Sequence, residues 1–529
     1  MNNYHQFKFV LVLFTIIISS CNSNQASKKL AKKIQPSDYY AEQYRPQIHF
    51  SPPAKWMNDP NGMVYYEGEY HLFYQYYPDS TVWGPMHWGH AVSKDMFHWE
   101  HLPVALYPDS LGYIFSGSAV ADVNNTSGFG KDGKGPLVAI FTYHNMKGEK
   151  SGRNDFQNQG IAYSNDKGRT WEKFAKNPVL KNPGIRDFRD PKVQWYEPSK
   201  KWIMTLATLD CVTFFSSPDL KDWTKESEFG KGVGGHGGVW ECPDLFPLKV
   251  DGTGDEKWVL LVSINPGGPN GGSATQYFVG DFNGKVFLNE NKSVEPRWID
   301  YGKDNYAGVT WSGIPNSDGR RLFLGWMSNW QYATVVPTIA WRSAMTLPRE
   351  FKLENHPTEG FALTGYPVTE FENLGAKWEN LQTQPQKFAA NSPAKFGLGD
   401  GDAFDFSLDL DMSAAGQATI QLSNIQNETF DIILDKTNQQ CRINRNQSGE
   451  TSFSPAFPAD IKAPASIKDT VSVRIVIDQS SVELFLNKGL LQVTNIVFPV
   501  KIYNQITIKS GQQFSVVNSK VRKLTSIWR

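Results

Sequence analysis

Asp59, Asp190 and Glu241 each stand just ahead of an apolar, strand-like run, beside residues suited to handling a hydroxylated ligand. Asp59 lies in Trp56-Met57-Asn58-Asp59-Pro60-Asn61-Gly62, Asp190 in Phe188-Arg189-Asp190-Pro191, and Glu241 in Val239-Trp240-Glu241-Cys242-Pro243-Asp244. Taken singly, each has a plain reading: Asn-Asp-Pro-Asn-Gly is good turn chemistry, Asp-Pro starts turns, and a Glu can cap a strand end. Brought to one place, they are an apparatus for glycosidic bond cleavage. One carboxyl group attacks or activates water, a second protonates the leaving oxygen, and a third stabilises an oxocarbenium-like transition state or holds ring hydroxyls. The apolar neighbours Trp240 and Cys242 are expected to raise the pKa of Glu241 and make it the acid. Asp59, flanked by amides, is expected to stay ionised, and Arg189 to favour the charged form of Asp190.

What could gather three acids so far apart in the chain is an internal repeat. Tyr70–Gln75, Pro136–Phe141, Lys201–Leu206, Lys257–Val262 and Arg321–Trp326 are apolar strands spaced about sixty residues apart. A strand and a turn precede each, plainest at Gly62–Tyr66 with Glu67-Gly68. A shared turn follows several: Ser93-Lys94-Asp95 to Trp99, Ser164-Asn165-Asp166 to Trp171, Ser217-Pro218-Asp219 to Trp223, with Gly280–Gly284 in the fourth slot. Such a pattern predicts an all-β chain with a five-bladed β-propeller over 41–350, rather than a large irregular sandwich. The first strands of the blades line the channel, so Asp59, Asp190 and Glu241 would share one mouth. Phe115-Ser116-Gly117-Ser118 and Tyr306-Ala307-Gly308 fill the same slot in the other two blades. The register fades over a linker at 351–374. Alternation returns in Phe404–Leu410 and Val471–Ile477, which predicts a C-terminal β-sandwich over 375–529 with a supporting role.

Charge and length narrow the function. The 529 residues carry a formal net charge of zero and no long charged block, which argues against nucleic acid or anionic membrane surfaces as partners. The N-terminus reads as a secretory leader over 1–21: Lys8, an apolar run from Phe9 to Ile18, then Ser19-Ser20-Cys21, with Cys21 the expected lipidation site. Residues 22–40 read as a flexible tether. The expected location is the periplasmic side of a Gram-negative envelope, with the cell surface as the alternative. Cys211, Cys242 and Cys441 imply neither a disulfide framework nor a metal knuckle, although a Cys211 to Cys242 bridge stays open.

The three acidic motifs resemble those of glycoside hydrolase family 32, the invertases, inulinases and levanases. The likeness extends to Phe73-Tyr74-Gln75, Trp83-Gly84-Pro85, His87-Trp88-Gly89-His90, Phe115–Ser118 and Leu324–Trp330, and so covers nearly the whole exported chain. The resemblance implies Asp59 as nucleophile, Asp190 as transition-state stabiliser and Glu241 as acid/base, in a retaining reaction through a fructosyl-enzyme, with no metal or cofactor. It implies a terminal-fructose subsite from Trp56, Asn58, Gln75, Trp83, Phe115, Ser116, Arg189, Tyr306 and Trp326, while Trp88 and Trp99 read as core. Amides, hydroxyls and guanidinium suit sugar hydroxyls, and the aromatic rings suit C–H faces. The expected activity is release of terminal β-D-fructose from levan, inulin and sucrose. The alternatives are a fructosyltransferase with the same intermediate, an endo-levanase, and a non-catalytic fructan-binding lipoprotein.

Overall fold

A strand buried on both faces has no polar side, and the five apolar runs behave in this way. They are the second strands of five antiparallel sheets, Glu69–Tyr77, Leu137–His144, Lys201–Thr208, Glu256–Asn265 and Arg321–Met327. Along Lys201–Thr208, Ile203 packs with Phe214, Trp240 and Leu260, whereas Met204 packs with Val138, Ile140 and Ile161. Successive side chains therefore serve the interfaces with the following and the preceding sheet. The same arrangement recurs between all neighbouring sheets, which is the packing of a propeller.

The computed structural model describes residues 39–290, 295–356 and 360–528. The expected leader with Cys21, and all but the last two residues of the expected tether, lie outside the described residues. The fold is a five-bladed β-propeller followed by a β-sandwich. The inner strands of blades 1 to 5 are Lys55–Tyr66, Tyr113–Ala121, Phe188–Tyr196, Val239–Lys249 and Tyr306–Thr310. Blades 1 to 4 then add strands outward in chain order. In blade 1 the Glu67-Gly68 turn, with φ of 45° and 87°, joins the first two strands as a two-residue hairpin loop. Trp341–Arg342 runs parallel to Lys55–Trp56 and ties the end of blade 5 to blade 1. In the shared turns, Ser93, Ser164 and Ser217 donate to Asp95, Asp166 and Asp219, which accept backbone N–H groups of the following residues.

The domain boundary differs from the expected one. Arg349–His356 and Gly360–Pro367 complete blade 5, so its sheet runs to Pro367 and takes in much of the expected linker. Phe351 and Leu353 are buried while Lys352 and Glu354 are exposed. A charged outward face is how outer strands resist pairing with other chains, and here it reads as a loss of apolar register. Beyond it, Phe404–Asp411 and Thr470–Asp478 pair in one sheet of the sandwich. Phe404, Phe406, Leu408 and Leu410 pack from that sheet against Ile420 and Ile432 of the other. Residues 40–529 form one compact unit, in which Val476 and Phe485 of the sandwich join a cluster with Met57, Tyr306 and Trp326 of blades 1 and 5. Cys211, Cys242 and Cys441 are free thiols.

Candidate active site

A β-bulge sets two residues against one and re-aims a side chain, and each of the five inner strands carries one near its start. Asn58-Asp59 face Gln75, Phe115-Ser116 face Thr142, Asp190-Pro191 face Leu206, Cys242-Pro243 face Val262, and Ala307-Gly308 face Gly325. Asp190, Cys242 and Ala307 take the left-handed φ values of 63°, 45° and 52°, a conformation that side-chain-bearing residues adopt at a cost. The acids thus stand inside the inner strands, at bulges, and not in turns leading into them.

The bulges converge on a cavity of about 280 Å³ lined by Asn58, Asp59, Gln75, Trp83, Phe115, Ser116, Arg189, Asp190 and Glu241 among others. Asp59 accepts hydrogen bonds from Asn58 Nδ2 at 3.0 Å and Ser116 Oγ at 2.8 Å. Trp56 Nε1 donates to Asn58 Oδ1 at 2.8 Å, which fixes the amide so that its NH2 faces Asp59. The Cys242 thiol lies 3.8 Å from Asp59 and 3.6 Å from Asp190, and its backbone N–H donates to Asp190 at 3.0 Å. Arg189 donates to Glu241 Oε1 at 2.7 Å and to Asp187 at 2.5 Å, and the Tyr306 hydroxyl donates to Glu241 Oε2. Gln75 is buried, and its Nε2 has no protein partner. This leaves an unused donor in a residue that lines the cavity.

Burial decides the electrostatics. It pushes Asp59 up to about 6, with the negative charge of Glu241 adding to the effect and the Asn58 and Ser116 hydrogen bonds resisting it. Burial likewise pushes Asp190 up to about 7, against the pull of Arg189 and with help from Glu241 and Asp59. Both differ from the sequence expectation, in which sequence neighbours held these groups ionised. Glu241 does not sit in apolar company either: Trp240 is buried on the opposite side, packed against Phe278 and bonded to the Gly235 carbonyl. Glu241 meets Arg189 and Tyr306 instead.

Of the expected sugar-binding residues, Trp56, Trp326 and Tyr306 are almost fully buried and stand behind the cavity wall. Trp56 and Trp326 back Trp330, at 5.8 and 4.9 Å between ring centroids, and Trp330 lines the cavity. Trp88 is buried, as expected of core, whereas Trp99 is half-buried against a core cluster. Sequence reasoning missed Trp330, although it follows Trp326 in the same motif, and also His144, Glu149, Gln157 and Asp187. The short helix Met146–Lys150, capped by Asn145, carries Glu149 to the rim. Phe115 stacks on His144 at 4.2 Å. Gln157 Nε2 donates to His144 Nδ1, leaving His144 Nε2 to donate to Glu149 at 3.1 Å. That is a neutral imidazole, in keeping with burial that pushes its pKa down to about 4. Of the other four, Asp187 alone carried a local signal, its place two residues before Arg189.

Paired carboxyls in a pocket edged by Trp83, Phe115 and Trp330 can carry out acid-assisted nucleophilic displacement at a sugar. Comparison with known proteins agrees. The model of the glycosyl hydrolases family 32 N-terminal domain matches residues 49–364, and that of the family 32 C-terminal domain matches 374–526. A levanase of Bacillus subtilis (strain 168) is 50% identical over 529 residues, spanning 98% of this chain and 75% of its own length. The extracellular exo-inulinase inuE of Aspergillus niger is 40% identical over 525 residues, spanning 92% of this chain and 96% of its own. Among solved structures, an exo-inulinase from Aspergillus awamori superposes with a TM-score of 0.84 at 37% identity, covering 92% of this chain and 100% of that one. A β-fructofuranosidase from Schwanniomyces occidentalis, complexed with fructosyl-erythritol, gives 0.80 at 32% identity over 93% of this chain and 100% of that one. With both of its domains matched, the chain belongs to glycosyl hydrolase family 32.

Proposed function

We propose that this enzyme is an exo-acting, retaining fructan β-fructosidase that releases terminal β-D-fructose from levan and inulin, and fructose from sucrose. The observation that carries the reading is the meeting of Asp59 and Glu241, from blades 1 and 4, in one cavity with Asp190 beside them. At about 280 Å³ the cavity is at the small end of ligand sites, which suits a single terminal residue better than a chain passing through. The relatives named as levanase and exo-inulinase support the same substrate class.

In the first step an Asp59 carboxylate oxygen attacks the anomeric carbon of the fructosyl unit, while Glu241 gives its proton to the glycosidic oxygen, which leaves as an alcohol. In the second, Glu241 takes a proton from water, the hydroxide attacks the same carbon, and the bond to Asp59 breaks to free fructose. Both Glu241 oxygens accept hydrogen bonds from protein donors, Arg189 and Tyr306. To act as acid, Glu241 must exchange one of them for the leaving oxygen. Asp190, beside the Arg189 guanidinium, is placed to hold ring hydroxyls as positive charge develops. Export is part of the proposal, supported by the apolar N-terminal run and by a relative named as extracellular. A lipid on Cys21 and a periplasmic station are its finer version.

Product analysis on levan and inulin tests the reading. Wild-type protein is expected to yield fructose alone, and Asp59→Ala to lose about 10⁴-fold or more in kcat while still unfolding in one cooperative thermal transition. A ladder of oligosaccharides would overturn the exo mode, fructosyl transfer products from concentrated sucrose would point to a transferase, and no reducing sugar from any substrate would overturn the hydrolase.

A further inference from the structure

The active-site cavity is not the largest in the molecule. A second one, of about 930 Å³, opens at the far ends of the same inner strands. Asp59 and Tyr66 mark the two mouths on one strand, and the six residues of strand between them set the two about 20 Å apart. Tyr66, Trp195 and Trp258, from blades 1, 3 and 4, are half-buried in the wall of the far cavity. At its floor Asp244 is fully buried; Oδ2 accepts from the Thr310 backbone N–H at 2.6 Å and lies 3.3 Å from Lys192 Nζ, while Oδ1 has no protein partner. Arg321, whose guanidinium lies over Phe246 at 5.0 Å, likewise has an unpartnered Nε. The mechanism uses none of these groups.

The chemistry selects the ligand class. The acids and bases of the lining are close to balanced and mostly paired, which disfavours a charged ligand such as a phosphate. Aromatic surface on three sides, with an orphaned acceptor and an orphaned donor beneath it, matches a neutral polyhydroxylated molecule that offers C–H faces and hydroxyls together. We propose that this far mouth is a second, non-catalytic carbohydrate site, which holds fructosyl segments of the polymer while the opposite mouth cuts chain ends. The choice of fructan rests on the proposed function. Two sites on one molecule raise the effective concentration of polymer at the enzyme without altering the chemical step.

Trp195→Ala and Trp258→Ala, alone and together, test the site against two substrates. Turnover of the trisaccharide 1-kestose is expected to match wild type, which also reports an intact fold, while KM for levan rises about three- to tenfold in the double variant. In parallel, Asp59→Ala protein is run through native gels containing levan, with free fructose present to fill the catalytic pocket. Retardation is expected to survive the fructose and to vanish when both tryptophans are replaced. Unchanged levan KM in the double variant, or retardation abolished by fructose alone, would overturn the second site. If the double variant fails to fold, Arg321→Gln replaces it under the same criteria. Wild-type protein that releases fructose from neither 1-kestose nor levan would instead sink the hydrolase reading, so the two failures are told apart.

Discussion

Asp190 is the most confined acid of the site. It is 6% exposed, sits at a left-handed φ of 63°, and shares its surroundings with two other carboxyls. Its pKa of about 7 means that the folded protein holds a proton there which the unfolded chain has already lost, since an unfolded Asp ionises near 3.9. The group therefore costs nothing below about pH 4, costs progressively more as pH rises toward 7, and costs its full amount above 7. Asn at this position mimics the protonated acid. Asp190→Asn is accordingly expected to stabilise the enzyme by about 4 kcal/mol at pH 8 and by almost nothing at pH 4, while activity collapses. Paired thermal melts at the two pH values check this, and an equal gain at both would contradict it. Residue neighbours in the chain gave the wrong electrostatics for a physical reason. Consecutive side chains of a strand point to opposite faces, so Trp240 cannot shield Glu241, and Arg189 reaches across to Glu241 at 2.7 Å while its Nε stays 3.9 Å from Asp190.

At the scale of elements, the bulges determine where the acids point, and neighbouring blades hold the bulges in place. The Asp190 N–H, freed from the strand ladder, donates to Thr142 Oγ1 at 3.0 Å; Thr142 in turn donates to Gln159 Oε1 at 2.7 Å, and Gln159 Nε2 to the Phe188 carbonyl at 2.8 Å. Blade 2 thus holds the entry to the blade 3 bulge, at Phe188 and at Asp190. Thr142→Val keeps the shape but strands a buried N–H, at about 1–3 kcal/mol. It is expected to lower kcat/KM about tenfold and to shift the acid limb of its pH profile, with Thr142→Ser restoring both. A variant with lost stability and an unmoved profile would reduce the clamp to scaffolding. The blade repeat was legible because double-sided burial leaves unbroken apolar runs such as Lys257–Val262. The clamp was not, since Thr142 and Gln159 sit in strands that read as ordinary, and their partners come from another blade. Blade 5 was clipped short because Lys352 and Glu354 face outward, and the helix bearing Glu149 spans only Met146–Lys150, too short for periodicity to show.

At the scale of the whole molecule, the sandwich closes the propeller where its ring begins and ends. Glu483, fully buried, accepts from His49 at 2.9 Å, from the Leu347 N–H at 2.8 Å and from Arg349 at 2.6 Å, and Asp478 accepts from the other His49 nitrogen at 2.7 Å. Charges from the start of the propeller, from blade 5 and from the sandwich are therefore satisfied only together, and removing one partner would leave others buried and unpaired. Burial opposes a charged His49, but its hydrogen bonds to Asp478 and Glu483 outweigh burial and hold the imidazole pKa at about 9. A base with a raised folded pKa contributes stability that is complete below its ordinary value of about 6.5 and is lost as pH climbs through 9. Wild-type protein is expected to lose about 1–3 kcal/mol from this group between pH 6.5 and 9.5, or roughly 1–3 °C in Tm. His49→Gln keeps a donor but cannot titrate, so its Tm should start lower and decline less over that range. Because Met57, next to the Asp59 bulge, packs in the same cluster as sandwich residues Val476 and Phe485, thermal inactivation should follow the melt in both proteins. Parallel Tm profiles for wild type and variant would show that His49 is not protonated at the seam, and activity surviving the melt would show that the sandwich does not hold the bulge in place.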